Sequence, residues 1–445
     1  MQDKSIELFE KAPVSRAVLK NSVPAMVAML MVLIYNLADT FFVGQTHDAL
    51  QVAAVSLATP VFLLFMAVGT AFGMGGTSVI SRALGEGRKE YARKVCSFCM
   101  WACVAVGVAM TILFLLFMDP ILSLIGASVD TWDFAKTYLS IVAYGGPFVL
   151  ISNCYANIIR AEGESNIAMM GQLIGNLLNV ILDPIMILWL GWDIAGAAIA
   201  TVIGNAFGAG YYIFYFLRGT SALSIHPREF TVGNRVCSSV LAIGVPAALG
   251  TILMSVSQII INSQMTEYGD MAIAGMGVAM KVITITGMVC MGLGQGVQPL
   301  LGYCVGAKLW SRFQAILKFA LSFALLLGIV LTAVCYMFVH QIVGVFLTDE
   351  AAFEYAVQFA KILLTTSSLF GIFYVLINTL QAMGAATASL IINLSRQGFI
   401  FLPALFILKA LLGLTGLLWA QPVADILSLV FAAILYFRSY RTMAR

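Results

Sequence analysis

Two carboxylates lie inside segments that are apolar enough to cross a membrane. Asp183 stands in a run that continues as Pro184-IMILWL, and Asp39 lies towards the end of the first apolar run. An ionised aspartate at the centre of a membrane helix costs roughly 2.5–3.5 kcal/mol on insertion scales, so such a residue usually faces a cavity, a partner or an ion. Both carboxylates are therefore candidates for binding or exchanging a cation.

A polar face runs along the segment that carries Asp183. Gln172, Asn176, Asn179 and Asp183 are spaced at i, i+4, i+7 and i+11, so all four lie on one side of a helix. Hydrogen bonds between helices could explain part of this face, since buried polar groups in membrane bundles contribute about 0.6–2 kcal/mol each. Four polar groups that end in a carboxylate exceed what packing requires, which favours a role in binding.

Further polar pairs occur at helical spacing in the first half of the chain. They are Asn36 with Asp39, Asn153 with Asn157, and Thr201 with Asn205. Asp39 and Asp183 could exchange protons if they lie close together. With asparagine oxygens and Thr201 they could instead bind Na⁺, because hard cations take oxygen ligands. The sequence does not determine whether the site takes H⁺ or Na⁺.

The elements that must position these residues are membrane helices. Of the 445 residues, 61% are hydrophobic and only 10% are charged, which is far from the composition of a soluble domain. Uncharged runs such as 95–118 and 194–217 have the roughly 20 residues that a spanning helix needs. The basic residues are spread over short loops, so we expect no nucleic-acid partner, and no motif indicates a cofactor.

Charged and turn-rich stretches divide the apolar runs into twelve candidate spans. Their approximate limits are 20–44, 52–80, 95–118, 137–159, 167–190, 194–217, 237–263, 272–305, 315–347, 357–380, 387–408 and 411–437. With the N-terminus in the cytoplasm, the inside loops hold most of the 24 Lys and Arg, whereas the outside loops collect Asp and Glu. This bias predicts an all-α, multi-pass protein of the cell membrane with both termini in the cytoplasm.

The chain repeats itself at a spacing of about 221 residues. LKNSVPA at 19–25 echoes LAIGVPA at 241–247, and GMG at 73–75 echoes GQG at 294–296. Six spans per repeat predict two parallel six-helix lobes, related by a pseudo-twofold axis normal to the membrane, with a cavity at or beside their interface. We predict an N-lobe of residues 1–218, a cytoplasmic linker of residues 219–235 and a C-lobe of residues 236–445.

The second half carries different polar residues. In place of the Asn36 and Asp39 region it has Gln258 and Asn262, and its charges within spans are Lys281, Arg396 and Asp425, which could form a structural network or line a substrate path. This asymmetry predicts that ion coupling belongs to the first half. Our candidates for lining a substrate cavity are Asn36, Asn153, Gln172, Asn176, Gln258, Asn262, Lys281 and Arg396.

Five motifs follow one another along nearly the whole chain. They are GMGGTSVISRALGEGRKEYARKV, NIIRAEGE, NVILDPI, GLGQGVQPLLGYCVGAK and LSRQGFIFLP. Through these motifs the chain resembles the multidrug and toxic compound extrusion (MATE) family of transporters. The resemblance implies export of organic, often cationic and lipophilic compounds in exchange for H⁺ or Na⁺, by alternating access.

The resemblance also implies a coupling site in the N-lobe. Carried over by position, this site comprises Asp39, Asn157, Asn179, Asp183 and Thr201, and Na⁺ would be held by all of these except Asn157. In the family, bending of the first helix accompanies release, and Pro24 occupies the matching place as a hinge. Some members carry an acidic residue in the seventh helix, but the segment 255–262 contains none.

Other classes of protein explain less of the sequence. A flippase for lipids or lipid-linked sugars, from the same superfamily, would line its cavity with more basic residues than Lys281 and Arg396. A membrane enzyme would need a clustered catalytic set, and a structural or sensory protein would leave the polar face unexplained. We therefore predict a transporter and not an enzyme, whose partners are small lipophilic or cationic molecules, H⁺ or Na⁺, and membrane lipids.

Overall fold

The computed structural model describes residues 7–46, 48–233, 235–347 and 349–443. The helices of the first half are α1 (Val14–Gly44), α2 (Ala49–Gly85), α3 (Lys89–Leu116), α4 (Met118–Leu124), α5 (Trp132–Tyr144), α6 (Gly146–Ala161), α7 (Ser165–Asp183) and α8 (Asp193–Leu217). Short π-helical turns at Glu7–Lys11 and Pro184–Trp189 precede α1 and follow α7. A 3₁₀ turn, Pro227–Glu229, lies in the linker.

The second half has a similar succession of helices. They are α9 (Val236–Met265), α10 (Asp270–Gly306), α11 (Trp310–Met337), α12 (Val339–Phe346), α13 (Glu350–Leu364), α14 (Phe370–Ala382), α15 (Ala386–Leu394), α16 (Phe401–Leu412) and α17 (Leu414–Met443). Thr266–Tyr268 and Ser367–Leu369 are 3₁₀ turns, and Ser395–Phe399 is a π-helical turn.

The predicted all-α membrane fold with twelve spans is confirmed. Within the described ranges, ten helical segments are each long and apolar enough to cross a membrane. Two bent pairs complete the count, α5 with α6 at 55° and Glu350–Leu364 with Ser367–Ala382 at 42°. The first bend falls at Gly145-Gly146-Pro147, where the proline lacks a backbone N–H and a methyl group at Gly146 would collide with the ring of Phe65.

Two predicted spans contain internal breaks. The predicted span 315–347 is divided, since α11 ends at Met337 and α12 begins at Val339. The predicted span 387–408 is interrupted by the π-helical turn before α16. Pro403 has no N–H to bond to the Phe399 carbonyl, which weakens regular α-helix at this point. Hydropathy does not show the first break because the residues around Phe338 are mostly apolar, whereas the second break falls at the polar stretch 395–398.

The contacts within the chain define two compact units. The first contains Val27–Ala248 and the described part of Met1–Lys11, and the second contains Ala12–Met26 and the described part of Leu249–Arg445. Helix α1 therefore begins in the second unit and ends in the first, whereas α9 begins in the first and ends in the second. Each helix changes unit a few residues after its proline, Pro24 or Pro246.

The repeated glycine motifs pack closely against the first halves of α1 and α9. In the second unit, the Asn21 side-chain amide donates to the Gly296 carbonyl at 2.6 Å, and a methyl group at Gly296 would collide with Ser22. In the first unit, a methyl group at Gly75 would collide with the Val240 carbonyl. The glycines thus allow close packing of helices, the simplest interpretation of GMG and GQG in a membrane protein.

Candidate cation-coupling site

Close packing of α7 on α8 positions the polar face that carries Asp183. A Cβ atom at Gly204 would lie 2.6 Å from the Gly175 carbonyl and 3.2 Å from the Cβ of Asn179, so only glycine fits at this crossing. Because the two backbones approach so closely, the Asn179 Nδ2 donates to Thr201 Oγ1 at 3.2 Å. Two residues predicted to share a site are therefore in contact.

The buried carboxylate of Asp183 lies at the last residue of α7. Its side chain is 0% exposed, and Pro184 starts the π-helical turn that follows. Such turns are frequent at functional sites. Asp39, on α1, is half-buried and lies within electrostatic range of Asp183. The structure therefore brings together the two carboxylates that the sequence singles out.

Four oxygens of this region lack a hydrogen-bond partner among the described residues. They are Asp39 Oδ1, Asn179 Oδ1 and both carboxylate oxygens of Asp183, and all four are buried. Buried polar atoms are normally hydrogen-bonded, since leaving them unpaired is energetically unfavourable. A bound proton or a hard cation would satisfy these oxygens, and oxygen atoms are the ligands that such a cation prefers. The donor set therefore fits either H⁺ or Na⁺.

Two tyrosines lie near the carboxylates, and the sequence patterns did not identify either of them. The Tyr35 hydroxyl lies beside Thr201 and within electrostatic range of Asp39 and Asp183. Tyr138, on α5, is buried and also lies within range of both carboxylates. Tyr35 could have been found, because it precedes Asp39 by four residues on the same helical face. Tyr138 had no such signal, since it comes from another helix.

A buried arginine joins Asn157 to Gln172. Arg160 Nη1 donates to Asn157 Oδ1 at 3.0 Å, and its Nη2 donates to Gln172 Oε1 at 3.1 Å. The Asn157 Nδ2 donates to the carbonyl of Asn153 at 2.9 Å. Arg160, which the sequence assigns to a loop, is only 1% exposed. Asn157 thus has polar partners of its own, unlike the oxygens of Asp39 and Asp183.

The other cavity candidates belong to several helices of the two units. Asn36 is exposed and Asn176 is half-buried. In the second unit, the Gln258 side chain donates to Asn262 Oδ1 at 3.2 Å, and the Lys281 ammonium lies 4.9 Å from the centre of the Phe346 ring.

Arg396 forms a buried ion pair with Asp425. Its Nε lies 2.9 Å from Asp425 Oδ1, and the two side chains are 11% and 5% exposed. Gln421 and Thr366 also donate to the carboxylate, at 3.0 and 3.3 Å. The guanidinium carbon lies 4.7 Å from the centre of the Phe373 ring. These contacts favour a structural network over a substrate path for Arg396 and Asp425. Lys281 takes no part in these contacts.

Twelve membrane spans that bring two carboxylates close together are typical of a membrane transporter. The MatE family model matches residues 24–185 and again residues 246–407. The chain belongs to the MatE family. The second match begins at residue 246 and the first at residue 24, an offset of 222 residues that agrees with the predicted internal repeat.

Curated relatives match over nearly their whole length. The multidrug export protein MepA of Staphylococcus aureus (strain MRSA252) is 32% identical over 439 residues, which cover 98% of this chain and 96% of MepA. MepA of Staphylococcus haemolyticus (strain JCSC1435) is 32% identical over 427 residues, 96% of this chain and 94% of MepA. The flippase alternative draws no support from these relatives.

Solved structures share the fold. An outward-facing multidrug resistance MATE family transporter of the MOP superfamily superposes with a TM-score of 0.93 at 23% identity, covering 99% of this chain and 98% of that chain. A MOP superfamily transporter from Pyrococcus furiosus Vc1 (DSM3638), described as having a binding pocket of reverse polarity, gives a TM-score of 0.91 at 24% identity, with the same coverage.

Proposed function

We propose that this protein is a secondary active exporter that moves organic, often cationic and lipophilic compounds out of the cell in antiport with H⁺ or Na⁺. The description of its MepA relatives as multidrug export proteins supports the substrate class. The observation that carries the coupling is the set of buried oxygens on Asp39, Asn179 and Asp183 that have no partner among the described residues.

The proposed coupling follows from the electrostatics of these oxygens. Two carboxylates within range of each other, away from water, repel, and a proton or a sodium ion between them relieves the repulsion. With Na⁺, the ligands would be Asp39, Asn179, Asp183 and Thr201. Asn157 would contribute from the periphery, through Arg160.

The proposed link to transport is α1 itself. Asp39 and Pro24 lie on this one helix, and a proline removes one backbone hydrogen bond and permits bending. Neutralising Asp39 would therefore favour a different bend at Pro24, and alternating access would follow from that change.

The proposed arrangement in the cell follows the charge bias of the loops. The protein would reside in the plasma membrane, with both termini and the linker of residues 219–235 in the cytoplasm. Residues 1–218 would form the cation-coupling N-lobe, and residues 236–445 the C-lobe. Gln172, Asn176, Gln258 and Lys281 remain our candidates for contacting the substrate.

Dye efflux from proteoliposomes with separately imposed gradients tests the proposal. A cationic lipophilic dye should be extruded under a pH gradient or a Na⁺ gradient, and the gradient that drives it identifies the coupling ion. Vesicles without any gradient provide the baseline. Lipid translocation without dye movement, or dye movement that is equal with and without both gradients, would refute ion-coupled export.

A further inference from the structure

A groove opens between the start of α11 and the end of α17, within the second unit. Its volume is about 690 Å³. One wall is apolar and includes Leu317, Leu321 and Phe437, whose side chain is 61% exposed. Two cations, Lys318 and Arg441, also line the groove, and among the described residues no carboxylate pairs with either. The groove thus combines an apolar wall with uncompensated positive charge.

Aromatic packing holds the groove in shape. Tyr440 accepts a hydrogen bond of 2.6 Å from the Gln314 side chain. Its ring lies 5.7 Å from Trp310 and 6.1 Å from Phe313, centre to centre. Trp and Tyr concentrate where a membrane meets water, because their rings are apolar and carry one polar group. This end of α11 and α17 therefore has the side chains of a membrane interface.

The corresponding helix in the first unit, α3, shows what kind of group contacts the same helix face there. Helix α3 starts at residue 89 and α11 at residue 310, and each has 28 residues. Positions Arg93, Ser97 and Trp101 on α3 therefore correspond to Gln314, Lys318 and Ser322 on α11. The linker covers the α3 face, whereas the α11 face lines the groove.

On α3, the described contacts of these three positions with the linker are made to acceptors. The Ser97 hydroxyl donates to the His226 carbonyl at 2.8 Å, and the Trp101 indole donates to the Ile225 carbonyl at 3.2 Å. Arg93 pairs with Glu229 at 2.8 Å. In both repeats this face presents donors, and on α11 the central position is a cation, Lys318, in place of Ser97. An occupant of the groove should therefore carry anionic acceptor oxygens.

We propose that the groove binds an anionic phospholipid. The phosphate-bearing head group would contact Lys318 and Arg441, and an acyl chain would lie along Leu317, Leu321 and Phe437. Lysine can place its stem on an apolar wall while its ammonium reaches the interface. Basic pockets between membrane helices on the cytoplasmic side suit acidic head groups, and the proposed topology puts this end of α11 on that side.

Native mass spectrometry of the purified full-length protein in detergent tests the site. The protein is titrated with phosphatidylglycerol and with phosphatidylcholine of identical acyl chains. The double variant Lys318→Ser, Arg441→Gln should bind phosphatidylglycerol roughly 30-fold more weakly than the wild type, the effect of two charges near a membrane surface. Lys318→Arg keeps the charge and should retain the affinity for phosphatidylglycerol. That result would show that a substitution at this position leaves the site folded.

The matched control removes two exposed cations outside the groove. Lys89→Gln, Arg228→Gln lowers the net charge equally and should leave phosphatidylglycerol binding unchanged. Equal losses in the control and the groove variant, or equal affinity for both lipids in the wild type, would overturn the proposal. So would displacement of the lipid by equimolar inorganic phosphate, which would indicate a site for the free anion. No ion gradient is used, so the result is independent of the coupling mechanism.

Discussion

The two halves of this chain treat a buried carboxylate in opposite ways. In the first half, both oxygens of Asp183 lack a partner among the described residues. In the second, Asp425 is paired with Arg396 and accepts further hydrogen bonds from Gln421 and Thr366. A carboxylate that is already paired with an arginine offers little to an incoming cation, whereas an unpaired one has no compensating charge and can bind a proton or a cation. The two halves thus have similar sets of spans, and the pairing of a few side chains distinguishes them.

The largest effect should come from neutralising the unpaired carboxylate. Asp183→Asn removes a buried ionisable group with little change in shape, so the protein should fold, but dye efflux driven by an ion gradient should fall to the level of protein-free vesicles. Asp130→Asn, which neutralises an exposed carboxylate of the same unit, is the matched control and should transport normally. Unchanged gradient-driven transport by Asp183→Asn would remove Asp183 from the coupling site.

A second substitution tests whether the paired carboxylate is structural. Asp425→Asn leaves the Arg396 guanidinium buried without its counter-charge, and breaking a buried pair in this way typically costs about 3–5 kcal/mol. We expect a marked fall in the thermal midpoint of the detergent-solubilised protein. The double variant Arg396→Met, Asp425→Leu removes both charges and should recover most of that loss. If Asp425→Asn kept wild-type stability and lost coupling, the contrast between the halves would fail.

Glu162 represents an intermediate case, a buried carboxylate whose hydrogen-bond donors are neutral. It lies in the turn after α6, is 3% exposed, and accepts hydrogen bonds from the Tyr215 hydroxyl at 2.8 Å, the Ser221 hydroxyl at 2.7 Å and the Ala222 amide at 3.1 Å. Burial raises the pKa of Glu162 to about 7, and nearby Glu164 adds to the rise. These contacts attach the start of the linker to the first unit.

The smallest predicted effect is the pH dependence that Glu162 causes. Because the pKa in the folded state lies above its unfolded value, the folded protein binds the proton more tightly, and the resulting stability is lost as the pH rises through about 7. Between pH 6 and pH 8, the thermal midpoint of the wild type should therefore decrease more than that of Glu162→Gln, as measured by differential scanning fluorimetry. Parallel curves for the two proteins would contradict this assignment.

Much of the fold could be predicted from local patterns. A span requires only a run of apolar residues long enough to cross the bilayer. Insertion of any such run into lipid as a helix is favourable, whatever the rest of the chain does. The polar face from Gln172 to Asp183 follows from helical spacing alone. The repeat of LKNSVPA as LAIGVPA likewise needs no structure, and the double match to the family model agrees with it.

Contacts between distant segments could not be predicted in this way. Arg160 follows an apolar run and has the sequence signature of a loop cation, yet it is buried against Asn157 and Gln172. Tyr138 lies within electrostatic range of the carboxylates, although it belongs to a different helix from either of them. The break after Met337 falls inside a largely apolar run, whereas the break before Phe401 coincides with the polar residues 395–398 inside one predicted span.

The sequence by itself determined the membrane class, the twelve spans, the duplication and the two aspartates of the first half. Only the tertiary structure decided which carboxylates are paired, which helix face the linker covers and which face remains open beside Lys318. The physical reason is that insertion into a membrane depends on the composition of each segment. The charge state and partners of a buried side chain depend instead on groups that other segments bring within a few ångströms.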